Sequence, residues 1–234
     1  LQRLDLHVHL ATGISGIDAR RLRRLSLSHE PLLYVEAPPL SQVQLALKRA
    51  FDVIASALLL VVAAPMLGLI ALVVKLGDRS GPILFRQQRV GRGGVTFDVL
   101  KFRTMAVDAE DRLAALRENN ERNGPLFKME HDPRVTRVGR LLRDTSLDEL
   151  PQLVNVLRGE MSLVGPRPAL PSEVAKFAPE LREREQVRPG ITGLWQTEAR
   201  DNPSFETYRR LDLFYVENWS VTLDLMILVG TIEH

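Results

Sequence analysis

Cysteine is absent from the 234 residues. That excludes disulfides, thiolate nucleophiles and cysteine-ligated zinc, and it fits a cytoplasmic setting. An excess of one charge sign is missing too: Lys and Arg number 31 and Asp and Glu 29, a formal charge of +2. Broad nucleic-acid binding needs a large basic surplus, so nucleic acid is not an expected partner. There is no Gly-x-x-x-x-Gly-Lys-Ser/Thr loop, no Gly-x-Ser-x-Gly elbow and no His-Glu-x-x-His pair, which removes three common routes to hydrolysis. Residues 1–40 lack the basic start and apolar run of a signal peptide. Internal repeats and low-complexity tracts are also lacking.

The apolar fraction of 45% can bury the core of one ordinary domain plus attachments. Leu1 opens the chain, which is therefore read as a fragment. Residues 1–40 are expected to be the remnant of an upstream segment, with scattered charge at Arg20, Arg21, Arg23 and Arg24 and one short strand at Leu32–Val35. Pro38-Pro39 marks a boundary. His7 and His9 could ligate a metal, but two lone histidines near a chain end seldom do.

The strongest pattern runs from Val53 to Val74, 22 residues without charge in which Ser56 is the only polar side chain. A helix of that length reaches about 33 Å, enough to cross a bilayer. Pro65 stands in its middle and would strand the carbonyl of Val61. Both flanks are basic: Lys48 and Arg49 before it; Lys75, Arg79, Arg86, Arg89 and Arg92 after it. Basic flanks mark the cytoplasmic side. The economical reading is a re-entrant helix within 41–80, broken at Pro65, whose arms of about 12 residues each span about one leaflet. A tilted spanning helix and a buried core helix are the alternatives.

Beyond residue 80 the periodicity changes. Ile83–Arg89 and Val95–Phe102 are predicted strands, joined as a hairpin by Gly91-Arg92-Gly93-Gly94. Helices are predicted over 106–118, 134–143, 174–186 and 204–217. In the second, Val135, Val138, Leu141 and Leu142 form one face and Arg134, Arg137, Arg140 and Arg143 the other, which suits a membrane surface or a phosphate site. The fourth mixes aromatic and charged residues as an interfacial helix does. The tail 221–232 is apolar but too short to span a bilayer.

The segment Arg143-Asp144-Thr145-Ser146-Leu147-Asp148-Glu149-Leu150-Pro151-Gln152 carries the chemistry. Two structural explanations exist for its acid pair. Ser146 and Glu149 fit a capping box. Alternatively, Asp148 caps a helix that starts later, a reading Pro151 favours. The functional explanation is phosphoryl transfer, in which an ionised aspartate attacks phosphorus. A helix start and Arg143 would favour its ionised form, and a second carboxylate helps to hold Mg²⁺ on an anionic diphosphate. Lys101, Arg103, Arg143, Arg158 and Arg167 are the candidate phosphate-binding cations, the last held rigid by Pro166 and Pro168.

These motifs occur in a recognisable order. Lys48-Arg49-Ala50-Phe51-Asp52 precedes the apolar run. Gly81-Pro82-Ile83-Leu84-Phe85, Gln88-Arg89-Val90-Gly91 and Lys101-Phe102-Arg103-Thr104-Met105 follow. Then come Asp132-Pro133-Arg134-Val135-Thr136, the acid segment, Met161-Ser162-Leu163-Val164-Gly165-Pro166-Arg167-Pro168 and Arg188-Pro189-Gly190-Ile191-Thr192-Gly193-Leu194-Trp195-Gln196. Over about residues 48–232 the chain resembles the monotopic phosphoglycosyl transferases, also called bacterial sugar transferases. Thr197-Glu198-Ala199-Arg200 departs from that family's Val-Ser-Gly-Arg run.

The resemblance implies an α+β, mostly helical, membrane-associated domain with a re-entrant helix, a small hairpin and interfacial amphipathic helices. Residues 1–40 would be the end of an upstream soluble domain and 81–234 the catalytic domain on the cytoplasmic face of the bacterial inner membrane. It implies an Asp-Glu dyad at Asp148 and Glu149 and a requirement for Mg²⁺. Asp148 would take a sugar phosphate from a UDP-sugar, expelling UMP, before polyprenyl phosphate attacks. Larger relatives suggest a hexose donor and a homodimer. A non-catalytic membrane adaptor and a UDP-sugar hydrolase are the competing functions.

Overall fold

The computed structural model describes residues 22–27, 30–35, 42–109, 111–112, 132–199 and 204–233. The chain divides into two units, Leu1–Ser41 and Gln42–His234. In the first, β1 (Leu22–Leu27) pairs antiparallel with β2 (Glu30–Val35), in a register from Leu22 opposite Val35 to Leu27 opposite Glu30. β2 contains the predicted strand. Its partner escaped sequence analysis because Arg23 and Arg24 interrupt the apolar alternation. His7 and His9 lie outside the described residues, as does most of the helix expected over 106–118.

The second unit begins with α1 (Gln42–Gly77), a helix of 36 residues with Pro65 inside it. The helix runs uninterrupted through Pro65, so the break expected there is not present as a gap in helical structure. Burial along α1 is uneven. Asp52 and Ser56 are buried near its start and Ile70 and Val74 near its end, but no residue from Ala57 to Leu69 is. Leu58, Val61, Val62, Met66 and Leu69 instead face outward.

The expected hairpin follows as β3 (Leu84–Val90) and β4 (Thr96–Phe102), antiparallel from Leu84 opposite Phe102 to Val90 opposite Thr96. Its link turns through Gly93 and Gly94 at φ of 68° and 78°, a region that glycine enters without a Cβ clash. α2 (Arg137–Asp144) starts later than predicted, because Thr136 accepts the Gly139 N–H at 2.9 Å and caps it. The two predicted faces of α2 also need correction. Arg134 precedes the helix and is buried, and Leu141 is 64% exposed. Leu142 is buried, packed with Ile70, Val74 and Phe102, and Val138 packs on the same cluster.

After a 3₁₀ turn at Leu147–Glu149 come α3 (Gln152–Arg158), β5 (Ser162–Val164), α4 (Pro171–Val174), a 3₁₀ segment (Pro179–Gln186) and β6 (Gly190–Thr192). Of the single helix predicted over 174–186, α4 reaches only Val174 and the 3₁₀ segment takes Pro179–Gln186. Pro179 divides them, since Ala178 before it is extended and proline cannot continue a helix. β5 and β6 pair in parallel, Ser162 beside Gly190 and Val164 beside Thr192.

The chain closes with α5 (Leu194–Glu198), α6 (Phe205–Glu217) and α7 (Val221–Glu233). α6, expected at an interface, buries one face against the protein and leaves Phe214 exposed. Its Tyr208 packs with Trp195, Phe177 and Leu181, and Tyr215 is buried as well. α7 keeps Val221, Leu225, Met226 and Val229 exposed. The described fold is thus mostly helical, with three small two-stranded sheets and one long apolar helix.

Candidate active site

The chain enters the acid turn through Ser146, whose φ of 55° is the only positive value at a non-glycine among the described residues. Such backbone is costly and needs surrounding structure to hold it. Two elements do so. On one side Thr145 is bonded back to Leu141 at the end of α2. On the other, α3 is clamped to β4 by the fully buried Asn155, which accepts the Leu100 N–H at 3.0 Å and donates to the Asp98 carbonyl at 2.7 Å. Neither capping explanation survives. Ser146 makes no side-chain cap, and α3 starts only at Gln152, after Pro151.

Asp148 lies on this turn at 7% exposure. Burial raises its carboxyl pKa; Lys101 opposes the rise, Glu149 adds to it and Arg143 opposes it again. Sequence reasoning named only influences that favour ionisation and missed the desolvation that opposes them. Glu149 accepts a hydrogen bond from Lys101 Nζ at 2.6 Å, in a pair about one-third exposed. Arg143 reaches in from α2 and donates from Nε to Thr104 Oγ1 at 2.9 Å.

Behind Arg143, Arg134 forks onto Asp132, with Nη2 to Oδ2 at 2.6 Å and Nε to Oδ1 at 2.9 Å; both residues are buried. The fork holds the Asp132 carboxyl below its usual range. It went unread in the sequence because the two residues are separated only by Pro133 and look like an ordinary turn.

The other proposed cations do different things. Arg103 donates to the Asp78 carbonyl at 2.6 Å and pairs with its carboxylate at 3.1 Å, over Gly81, where any side chain would strike the guanidinium. Arg158 is exposed at the last position of α3, about 9 Å along that helix from its start. Arg167 pairs with Glu173 at 3.1 Å. It belongs to a second cluster with Arg89 and with Arg184, which bonds Tyr208, the Arg167 carbonyl and Asp212. In this cluster burial, reinforced by Arg167, pushes the Arg89 pKa down to about 10. Lys101 and Arg143 are therefore the cations that act directly on the acid pair.

The basic residues flanking the apolar run also prove to be connectors. Lys48 donates to Asp224 of α7 at 2.5 Å, and Arg49 caps α3 by donating to the carbonyls of Val156 and Leu157 at 2.6 and 2.9 Å. Asp52 accepts the Leu163 N–H at 3.1 Å. At the other end of α1, Lys75 donates to the carbonyls of Arg79 and Gly81.

Among the described residues no group of three or more acidic or histidine side chains could hold a metal alone. Mg²⁺ is usually bound by one or two carboxylates together with substrate phosphates. Adjacent Asp148 and Glu149 fit that mode.

A half-hidden acid pair flanked by cations, in one unit with a helix long and apolar enough to cross a membrane, defines a class: a mostly helical domain compatible with membrane association, with its acid pair held among cations. Residues 43–234 match the family described as bacterial sugar transferase, and the chain belongs to that family. It is similar to the undecaprenyl-phosphate galactose phosphotransferase of Salmonella typhimurium, 41% identical over 192 residues, covering 79% of this chain and 39% of the relative. The undecaprenyl-phosphate glucose phosphotransferase of Komagataeibacter xylinus is 45% identical over 213 residues, covering 86% and 38%. The UDP-glucose:undecaprenyl-phosphate glucose-1-phosphate transferase of Caulobacter vibrioides is 44% identical over 205 residues, covering 83% and 72%. The chain thus spans under two-fifths of the Salmonella and Komagataeibacter proteins.

Proposed function

We propose that this chain transfers a hexose 1-phosphate from a UDP-sugar to polyprenyl phosphate and releases UMP. The observation that carries this is Asp148, buried on a strained turn between Lys101, Glu149 and Arg143. The printed names of the relatives supply the donor and acceptor chemistry.

In the first step a carboxylate oxygen of Asp148 attacks the phosphorus that carries the sugar. The bond from that phosphorus to the bridging oxygen breaks, and UMP leaves with the electron pair. In the second step an oxygen of polyprenyl phosphate attacks the same phosphorus, and the Asp148 carboxylate departs. The product is a polyprenyl diphosphosugar. Lys101 and Arg143 keep a share of Asp148 ionised against its burial and offset charge on the phosphoryl oxygens. Mg²⁺ held by Glu149 and Asp148 would neutralise the diphosphate when bound.

α1 enters the membrane and returns. Its first turns are tied to α3, β5 and α7 through Arg49, Asp52 and Lys48; its last turns pack on Phe102 and Leu142. Both ends thus rest on the same body, while Ala57–Leu69 is buried nowhere and presents apolar side chains. Pro65 lies in that unburied stretch and permits a bend. The acid pair then sits at the cytoplasmic face of the inner membrane, within reach of a lipid phosphate.

The test is UMP release from a panel of UDP-sugars with polyprenyl phosphate, followed by mass analysis of peptides containing residue 148. A sugar-phosphate adduct on Asp148 is expected. In Asp148→Asn the adduct should vanish and turnover fall by about a thousandfold or more. Full turnover in that variant would remove Asp148 as nucleophile, and lipid binding without UMP release would favour a non-catalytic adaptor.

A further inference from the structure

We propose that the apolar cleft between α1 and the β4–α3 face holds the first isoprene units of the polyprenyl acceptor. This rests on the transferase reading above and assigns a site to its lipid. The cleft has a volume of about 430 Å³, within the range of small-molecule pockets. Leu67, Gly68 and Ala71 of α1 form one wall, and Phe102, Pro151 and Val154 contribute to the other. Every residue lining it is apolar. An isoprenoid chain has no hydrogen-bonding group, so such walls suit it and offer a polar ligand nothing.

Position selects the occupant. One wall leads directly to the acid turn: Phe102 follows Lys101, which holds Glu149, and Pro151 is the third residue after Asp148. Leu147, beside Asp148, packs on the same apolar cluster as Phe102. The other wall is the membrane helix, whose outer face is apolar and exposed at Leu58, Val61 and Leu69. A chain lying here therefore runs from the bilayer to the acid pair without crossing water. Its phosphate emerges where Lys101 and Arg143 stand. A single cleft accepts a single chain, which distinguishes the acceptor from the two-chain phospholipids around it.

Gly68 provides the probe, because a side chain grown from it meets nothing within 4 Å. Gly68→Leu and Ala71→Leu narrow the cleft without adding a polar group, and leucine is a better helix former than glycine. Leu69→Phe changes the outward face and serves as control. Two readouts separate the half-reactions: the UMP burst without acceptor, and the KM for undecaprenyl phosphate in detergent micelles.

Both cleft variants should keep the burst and raise the acceptor KM roughly ten- to hundredfold, while the control keeps both. An unchanged acceptor KM in both, or a burst that falls in step with turnover, overturns the proposal. A second measurement is independent of catalysis. Wild-type protein is irradiated with a polyprenyl phosphate carrying a diazirine on its first isoprene unit, and adducts are mapped to residues. They should fall on the cleft walls and be displaced by undecaprenyl phosphate but not by phosphatidylglycerol. Displacement by both lipids, or adducts only on Leu58 and Leu69, also overturns it. Wild-type protein that takes the label in the cleft yet releases no UMP would sink the transferase reading and leave the lipid site standing.

Discussion

At Asp148 burial and neighbouring charge act against each other. Its raised pKa means that folding disfavours the ionised form, so at neutral pH this carboxylate costs stability. Asp148→Asn should therefore lose turnover while its Tm in a thermal melt matches or exceeds that of the unmutated chain. Asp132 shows the opposite sign. The Arg134 fork depresses its pKa, so it adds stability above the ordinary aspartate value of about 3.9. That contribution should fade as pH falls below about 4 and be gone below the depressed folded value. Asp132→Asn should remove this acid limb from a denaturation-versus-pH series. At pH 7 it should cost about 3 kcal/mol, because the buried Arg134–Asp132 fork loses one of its two charges.

At the scale of elements, the site depends on how closely α2 approaches the end of β4. A Cβ at Gly139 would lie 1.9 Å from the Thr104 carbonyl oxygen, a backbone atom that cannot swing aside. Gly139→Ala should push α2 outward, at a cost of about 1–3 kcal/mol. It should also lower turnover, because Arg143 would leave Thr104 Oγ1. A variant as active and as heat-stable as the native chain would show that the two elements have more freedom than their packing suggests. The helix faces of α2 were misjudged at this same scale. Helical periodicity gives the angle between side chains but not which side meets the core. Leu141, placed by its spacing on the apolar face, therefore points outward.

For the whole molecule, the consequence to test is that both ends of α1 return to one side of the bilayer. A chain without cysteine is convenient here. Ala46→Cys and Arg79→Cys, each made singly at an exposed position, should both react with an impermeant maleimide in inside-out vesicles. Neither should react in intact spheroplasts. Reaction of the two positions from opposite sides would make α1 a spanning helix. The same experiment weighs the long apolar helix against the core-helix alternative, in which neither position would depend on vesicle orientation.

The linear chain by itself determined the apolar helix, the β3–β4 hairpin and the acid pair, because each is written in neighbouring residues: a charge-free run, an alternation broken by glycines, two adjacent carboxylates. Tertiary structure decided which cations serve that pair, drawing Lys101 and Arg143 to it while Arg103 and Arg167 found partners elsewhere. It also decided that Asp148 is buried, that Asn155 fastens α3 to β4, and that Lys48 meets Asp224 from 176 residues away. The physical reason is one of range. Periodicity and turn chemistry act between near neighbours, whereas desolvation and ion pairing depend on what the folded chain brings alongside.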